Sequence, residues 1–460
     1  KLISFLHVFF PHFPWKILHR LGKTFFLQRA VENRQKFSTS LWMRFPLPSL
    51  AISHFSTFPG PLLLILHFIL FFFSKKQFFN KANFGRTVRL MKFSCEKALL
   101  QSAINTASRA VASKSSIPAL EGLLLEARNG YLTVSGYNMQ LGIRSRFQAN
   151  ITEDGELVLN ARLFGDIIRK MPDDMIVFSS DDKLMVSVAC GDADFHILGL
   201  NAADFPDLPD VEDDYTCTVR QDILKAMIGG TSFAVSTNES RIVHTGSLFE
   251  IGDGMLTIVS VDGFRLALRR EKYEKLEGGA FTFVAPGSAL NEVEKICSDS
   301  EDGAMVILGS RHVQFEVGET QLICRRLEGD FLDYKNAIPR QNPIVLTADK
   351  RALMSSIDRV SVVISDKMKS PIRCIFGDGS VKLSARTGNG DAKDSCPIAG
   401  NGNDLEIGFN NRYLMDALRY ASADEVKIEL NSGITPAIIV PTEGEENFLY
   451  MVLPVRLKAE

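Results

Sequence analysis

Apolar and small residues recur at offsets 0, 4, 7 and 11 in three places along the chain. They are Leu100, Ile104, Ala107 and Val111; Leu224, Ile228, Thr231 and Val235; and Leu353, Ile357, Val360 and Ile364. That spacing is one face of an α-helix. About thirty residues after each helical face comes a turn signal between apolar runs, Asn129-Gly130, Asp253-Gly254 or Asp378-Gly379. Asn-Gly and Asp-Gly close tight hairpins because both central residues take positive φ. The three glycines are separated by 124 and 125 residues. A second helical pattern follows each hairpin, led by Asn160, Pro286 or Asn410, with Phe164 and Ile167, Leu290 and Val293, or Leu414 and Ala417 on its apolar face. Asn and Pro are good helix openers. A strand-like run then follows: Met175–Phe178, Met305–Leu308 or Val426–Leu430.

The order strand, helix, hairpin, helix, strands therefore occurs three times, and an internal repeat organises the rest of the reading. Each unit of about 120 residues is large enough for its own core and too long for a solenoid repeat. The expected fold is α+β, three tandem domains at 91–215, 216–339 and 340–460, each with two helices packed on antiparallel sheets. Periodicity alone assigns no function to it.

Composition separates residues 1–90 from the remainder. They hold 13 of the 52 basic residues, one acid (Glu32), both tryptophans and 17 of the 33 phenylalanines. The rest has 39 basic and 53 acidic residues, a formal charge of −14 that the whole-chain value of −2 conceals. The apolar run Pro61–Phe73 is short for a bilayer span, which needs about 20 residues. A membrane anchor, a basic transit peptide and translated upstream sequence are the competing readings of this segment. The expectation is that the folded protein starts at Met91.

Seven cysteines (95, 190, 217, 297, 324, 374 and 396) are scattered without a CxxC, which reads as buried reduced thiols in a cytosolic protein. No metal-ligand spacing, nucleophile elbow or phosphate-binding loop is present in the sequence. Gly388-Asn389-Gly390-Asp391 reads as a surface turn. The acidic clusters Asp210, Glu212, Asp213, Asp214 and Ser298–Asp302 read as solvated loop charges. Basic residues collect on or beside the helices: Lys97, Arg109 and Lys114, Arg220 and Lys225, and Lys350, Arg351 and Arg359 at the first helix of each unit. The second helices carry Arg162, Arg169 and Lys170, then Lys295, then Arg412 and Arg419. A wet helix face explains such residues in any protein. In an acidic body they also suit a polyanion held through phosphates, without sequence specificity.

From Met91 onward the chain resembles the β sliding clamps, the processivity subunits of bacterial DNA polymerase III. The resemblance rests on Met91-Lys92-Phe93, Ser116–Leu120, Ala202–Leu208, Val261–Ala267, Gly329–Tyr334, Ile407–Asn410 and Leu453–Leu457, in that order and spacing. It implies a non-enzymatic, cofactor-free protein in the cytoplasm: a head-to-tail homodimer of six domains whose helices line a hole around double-stranded DNA. It implies a clamp loader, the replicative polymerase and repair proteins as partners, the latter two through short peptides.

By position, the DNA-facing residues are Lys114, Arg169 and Lys170, with Arg109 and Lys225 beside them. The partner pocket comprises Gly263, Arg265, Leu266, Leu332, Asn410, Tyr413, Ile434, Pro436, Met451, Leu453, Pro454, Val455 and Arg456. Head-to-tail contact falls to Phe195 and Ile197 with Val363 and Ile364. The chain departs from the family at Phe264, commonly polar there, at Leu332, commonly Pro, and in the added tail Lys458-Ala459-Glu460. The alternatives are an enzyme with its site at a repeat junction and a membrane-tethered scaffold that retains residues 1–90.

Overall fold

The computed structural model describes residues 90–460 apart from 213, 365–369, 443–446 and 458–460. The phenylalanine-rich segment with its apolar run, Asp213 of the acidic cluster and the C-terminal tail lie outside these residues. Among the described residues no helix is long and apolar enough to cross a membrane.

The helices are α1 Lys97–Ala107, α2 Ala161–Lys170, α3 Gln221–Ser232, α4 Gly287–Ile296, the single turn α5 Tyr334–Ala337, α6 Lys350–Ser361 and α7 Asn411–Tyr420. They pack in pairs, α1 with α2, α3 with α4 and α6 with α7, one pair per repeat. The apolar positions read from the sequence face the cores: Leu100, Ile104 and Ala107 in the first, Leu224 and Ile228 in the second, Leu353, Ile357 and Val360 in the third. The fourth position of each pattern falls beyond its helix, and this corrects the sequence reading. α1 tightens into a 3-10 turn, Ser108–Ala110, with Val111 already extended, and Val235 and Ile364 likewise follow the ends of α3 and α6.

Asn160 and Asn410 cap their helices as expected. Asn160 accepts the Leu163 amide at 3.0 Å, and Asn410 accepts the amides of Arg412 at 3.0 Å and Tyr413 at 3.3 Å. Pro286 opens α4 with no side-chain bond to offer.

One contact recurs at the start of the first helix in every repeat. The amides of Lys97, Gln221 and Lys350 donate to the carbonyls of Asp174, Asp302 and Asp424, just past the second helix of the same repeat. The side chains repeat the tie. The ammonium of Lys97 reaches the Met171 carbonyl at 2.7 Å, that of Lys350 reaches the Ala421 carbonyl at 2.9 Å, and the Gln221 carbonyl oxygen accepts the Ser298 amide at 3.1 Å. Met171 and Ala421 are the C-caps of α2 and α7, where carbonyls lack helical partners.

Among the described residues all the paired strands are antiparallel, in sheets of five, nine and ten. Asn129-Gly130 and Asp253-Gly254 have φ of 53° and 78°, and 52° and 79°, which is the geometry of the tight hairpin. The third turn signal behaves differently. One strand, Ile372–Thr387, runs unbroken through Asp378-Gly379, absorbing them as register irregularities against Gly390–Phe409. The sharp turn comes at Gly388-Asn389, consistent with the surface turn read there.

Two of the sheets do not stop at repeat boundaries. Thr320–Cys324 of the second repeat pairs with Leu141–Ser145 of the first, and Phe448–Val452 of the third pairs with Arg265–Arg269 of the second. Each seam is a continuous backbone ladder. On its outer face the first seam is backed by a cluster including Leu120, Leu124, Phe205 and Leu208. The second is backed by Leu248, Leu266, Leu268, Ile438 and Met451.

The seven cysteines are buried and unpaired. Burial pushes the thiols of Cys95, Cys217, Cys297, Cys324 and Cys374 up to about 12, far from a reactive thiolate.

Candidate functional site

Three surfaces matter: the helix face, the outer side of the second seam and the unpaired sheet edges.

On the helix face, Lys114 and Lys170 are exposed and have no ion-pair or hydrogen-bond partner among the described residues. The other three candidates are engaged. Arg109 lies 3.7 Å from Glu292 of the second repeat, Arg169 bonds Asp166 at 2.5 Å, and Lys225 bonds Asp299 at 2.8 Å. The acidic stretch Ser298–Asp302 is thus partly a counter-charge, since Glu301 also sits 2.9 Å from Arg220. Lys97 and Lys350 point at helix-end carbonyls, so part of the basic face counted from the sequence is internally satisfied.

At the second seam, Arg265 occupies the centre. Its guanidinium is held by Asp262 at 2.9 Å and by Asp416 of α7 at 2.6 Å, and it lies 4.5 Å from the Tyr413 ring centre and 5.3 Å from that of Phe233. Phe264, 59% exposed, stacks on the other part of this assembly with its ring 6.0 Å from Tyr413. Gly263 takes φ of 89° in the turn that delivers both residues. Leu266 pairs with Met451 across the seam, and both are buried.

The C-terminal segment then lies over the seam. The Leu453 amide donates to the Phe264 carbonyl at 2.9 Å and the Val455 amide to the Gly408 carbonyl at 2.8 Å, two residues before Asn410. Pro454 is half-buried, while Val455 and Arg456 are exposed. Ile434 is 82% exposed on the turn leading to Ala437–Pro441, with Pro436 half-buried beside it.

Leu332 belongs to an adjoining cleft of about 460 Å³, lined by Arg241–His244 and Glu328–Leu332. His244 packs edge-on to Phe331 at 5.4 Å, and burial, with Arg241 adding, holds its imidazole below the ordinary value. The sequence reading missed Ile242, His244 and Phe331, and also Phe233 and Asp416. Phe331 lay inside a motif string already singled out. Ile242 and His244 sit on a kinked 3-10 segment with no periodicity to mark them.

The edge candidates divide. Phe195, 40% exposed, and half-buried Ile197 lie on Ala193–Leu198, an edge strand of the five-stranded sheet. Val363 and Ile364 are half-buried against the third core, and it is Val362 that projects, 82% exposed. The Thr387 hydroxyl donates to the Val363 carbonyl at 3.0 Å, which fixes this segment beside the turn at Gly388. No group of acids, histidines and cysteines fit to hold a metal ion occurs among the described residues.

Three family models match in order: the N-terminal, central and C-terminal domains of the DNA polymerase III β subunit, over residues 91–209, 218–333 and 335–456. The β sliding clamp of Staphylococcus aureus is 30% identical over 377 residues, covering 80% of this chain and all of the relative. The DNA polymerase sliding clamp of Bacillus subtilis superposes with a TM-score of 0.76 at 26% identity, over 80% of this chain and 100% of that one. A sliding clamp from Bartonella birtlesii bound to griselimycin gives 0.75 at 28% identity with the same coverage. The three-repeat body with its continuous seams thus belongs to the β-subunit family of DNA polymerase III, the β sliding clamps, which serve as polymerase processivity factors and not as enzymes.

Proposed function

We propose that two copies of this chain close head to tail into a ring around double-stranded DNA, with domains divided at 215/216 and 339/340. The observation that carries the reading is the arrangement of the seams. Thr320–Arg325 and Phe448–Val452 end their repeats, and each extends the sheet of the repeat before it. Ala193–Leu198 is their counterpart in the first repeat and has a free edge. Gly390–Pro397, the third-repeat counterpart of Leu141–Gln148 and Arg265–Lys272, is paired there on one side only, with Ser380–Thr387. Among the described residues, one free edge of each kind per chain suits a heterologous, closing contact. Phe195 and Ile197 would meet Val362, Val363 and Ile364 there.

Within the ring, Lys114 and Lys170 supply the phosphate contacts, and Arg109, Arg169 and Lys225 contribute less because each already has a carboxylate. The acidic body repels DNA elsewhere, so the ligand is held by topology and can slide. The second seam, from Gly263, Arg265 and Leu266 to Leu453–Arg456, with Leu332, Asn410, Tyr413, Ile434 and Pro436 around it, takes apolar peptide anchors from the replicative polymerase and repair proteins. A clamp loader opens the ring in the cytoplasm, and no cofactor takes part.

The test is retention on DNA. Residues 91–460 are loaded with a compatible loader and ATP onto nicked circular DNA and filtered in high salt before and after one restriction cut. Retention on the circle and loss on linearisation are expected. Equal loss from both, with the loader active on a known clamp, would overturn encirclement.

A further inference from the structure

The first seam carries a polar crater of about 540 Å³ on its outer face, lined by Glu126, Arg128, Thr133, Arg144, Arg146, Glu316, Gly318, Glu319 and Gln321. Most of its charges are matched. Arg128 pairs with Glu156, Arg146 bonds Glu319 at 2.7 Å and lies over the Tyr131 ring, and Glu316 accepts from Gln314 at 2.6 Å and Gln321 at 2.9 Å. Two are not. Arg144, half-buried opposite Gln321, has no hydrogen-bond or ion-pair partner among the described residues, and its Nε is fully occluded. Glu126, on the same face two strands away, also lacks one.

The second seam shows what an internally completed version looks like. Arg146 and Arg270 mark equivalent places, since their amides donate to the carbonyls of Glu319 and Asn447. Two residues earlier, Arg144 corresponds to Leu268, which belongs to the apolar seam cluster. Glu126 corresponds to Glu250, which receives the Tyr334 hydroxyl and the Lys335 ammonium. In the first repeat Leu208 and Pro209 stand where Tyr334 and Lys335 would be. A guanidinium stays charged at every accessible pH and is costly to leave without an acceptor.

We infer that the crater at the first seam is a docking site for an acidic side chain of a partner peptide, received by Arg144. A planar guanidinium matches a carboxylate in two parallel hydrogen bonds. The carboxylates of Glu126, Glu316 and Glu319 around it disfavour a polyanion such as nucleic acid, while a single acid flanked by neutral or basic residues fits. Glu126 then sets specificity, by favouring a basic residue next to that acid.

The probe is a fluorescein-labelled, C-terminally amidated peptide with a single Glu in a run of Gly and Ser, read by anisotropy, with its Gln analogue and a single-stranded oligonucleotide of equal length. The Glu peptide should bind and the Gln peptide should not. Arg144→Leu, the residue the second seam uses, should weaken binding by about tenfold or more, and Glu126→Gln should strengthen it. Arg144→Gln serves if the Leu variant fails to unfold cooperatively in urea. Undiminished binding to the Arg144 variants would assign the acid to the basic helices and overturn the site, as would absence of binding. Arg144-dependent binding of the oligonucleotide as tight as that of the peptide would overturn the choice of ligand.

Discussion

Arg265 and Asp416 join the second repeat to the third through a 2.6 Å ion pair, and the same guanidinium rests on the Tyr413 ring. A charge held this way fixes the floor of the seam. Asp416→Asn should lower stability by about 1.5–3 kcal/mol, the range for a hydrogen bond to a charged group. It should also weaken peptide binding, because Arg265 keeps only Asp262. The urea midpoint and a peptide titration check both; an unchanged midpoint would show that the seam ladder alone sets the floor.

Phe264→Ala should reduce affinity for an apolar peptide ligand by about three- to tenfold, the worth of one aromatic stack. Fluorescence anisotropy with a labelled short apolar peptide measures it. Equal affinity would place the ligand away from the Phe264–Tyr413 stack.

DNA contact should be uneven among the basic residues. Lys114→Ala and Lys170→Ala should each reduce the slope of log affinity against log salt by about one unit. Arg109→Ala and Lys225→Ala should change it less, since Glu292 and Asp299 already neutralise them. Duplex binding over a salt series gives the slopes, and equal effects at all four positions would refute the ranking.

Phe195→Asp places a charge on the free strand edge and should convert the proposed dimer to a monomer of intact fold. Sedimentation velocity reads the mass. Val362→Asp should do the same from the other side, and a persistent dimer in both would move the interface elsewhere.

Two imidazoles make stability depend on pH near neutrality. Burial lowers the pKa of His244 and His312 below the ordinary 6.5, with Arg241 adding at the first and Arg325 and Arg311 at the second. The unfolded chain therefore binds more protons than the folded one once pH drops through 6.5, and stability falls from there towards the lower folded values. His244→Leu, matching the buried Leu120 of the first repeat, should reduce this fall and leave the His312 part. Urea midpoints between about pH 7.5 and 5.5 test it, above the range in which carboxylates titrate.

Periodicity made the repeats legible because Leu100, Ile104 and Ala107, and their counterparts, must all face one core. It ran past the helix ends at Val111, Val235 and Ile364, since apolar spacing continues where a chain turns and still buries its side chains. Asp378-Gly379 misled for a related reason: a positive-φ glycine serves a strand irregularity as well as a hairpin. Charge was the least legible feature. Nothing local to Arg109 announces Glu292, and nothing in Lys97 distinguishes a ligand for phosphate from a ligand for Met171. The second seam was readable only where short strings survive, so Arg265 and Leu453 were found while Asp416, on the far helix, was not.

The tie between the two helices of each repeat differs in one respect. The last turn of a helix carries the negative end of its dipole, equivalent to about half a charge. Lys97 and Lys350 lay an ammonium on that end in the outer repeats, whereas Gln221 is neutral. A negatively charged rod passing through the proposed ring would meet two poles covered by an ammonium bonded to an end carbonyl, and one answered only by Lys295 of its own last turn and by Lys225. The middle repeat would then differ from its neighbours in the potential along that path, once in every chain.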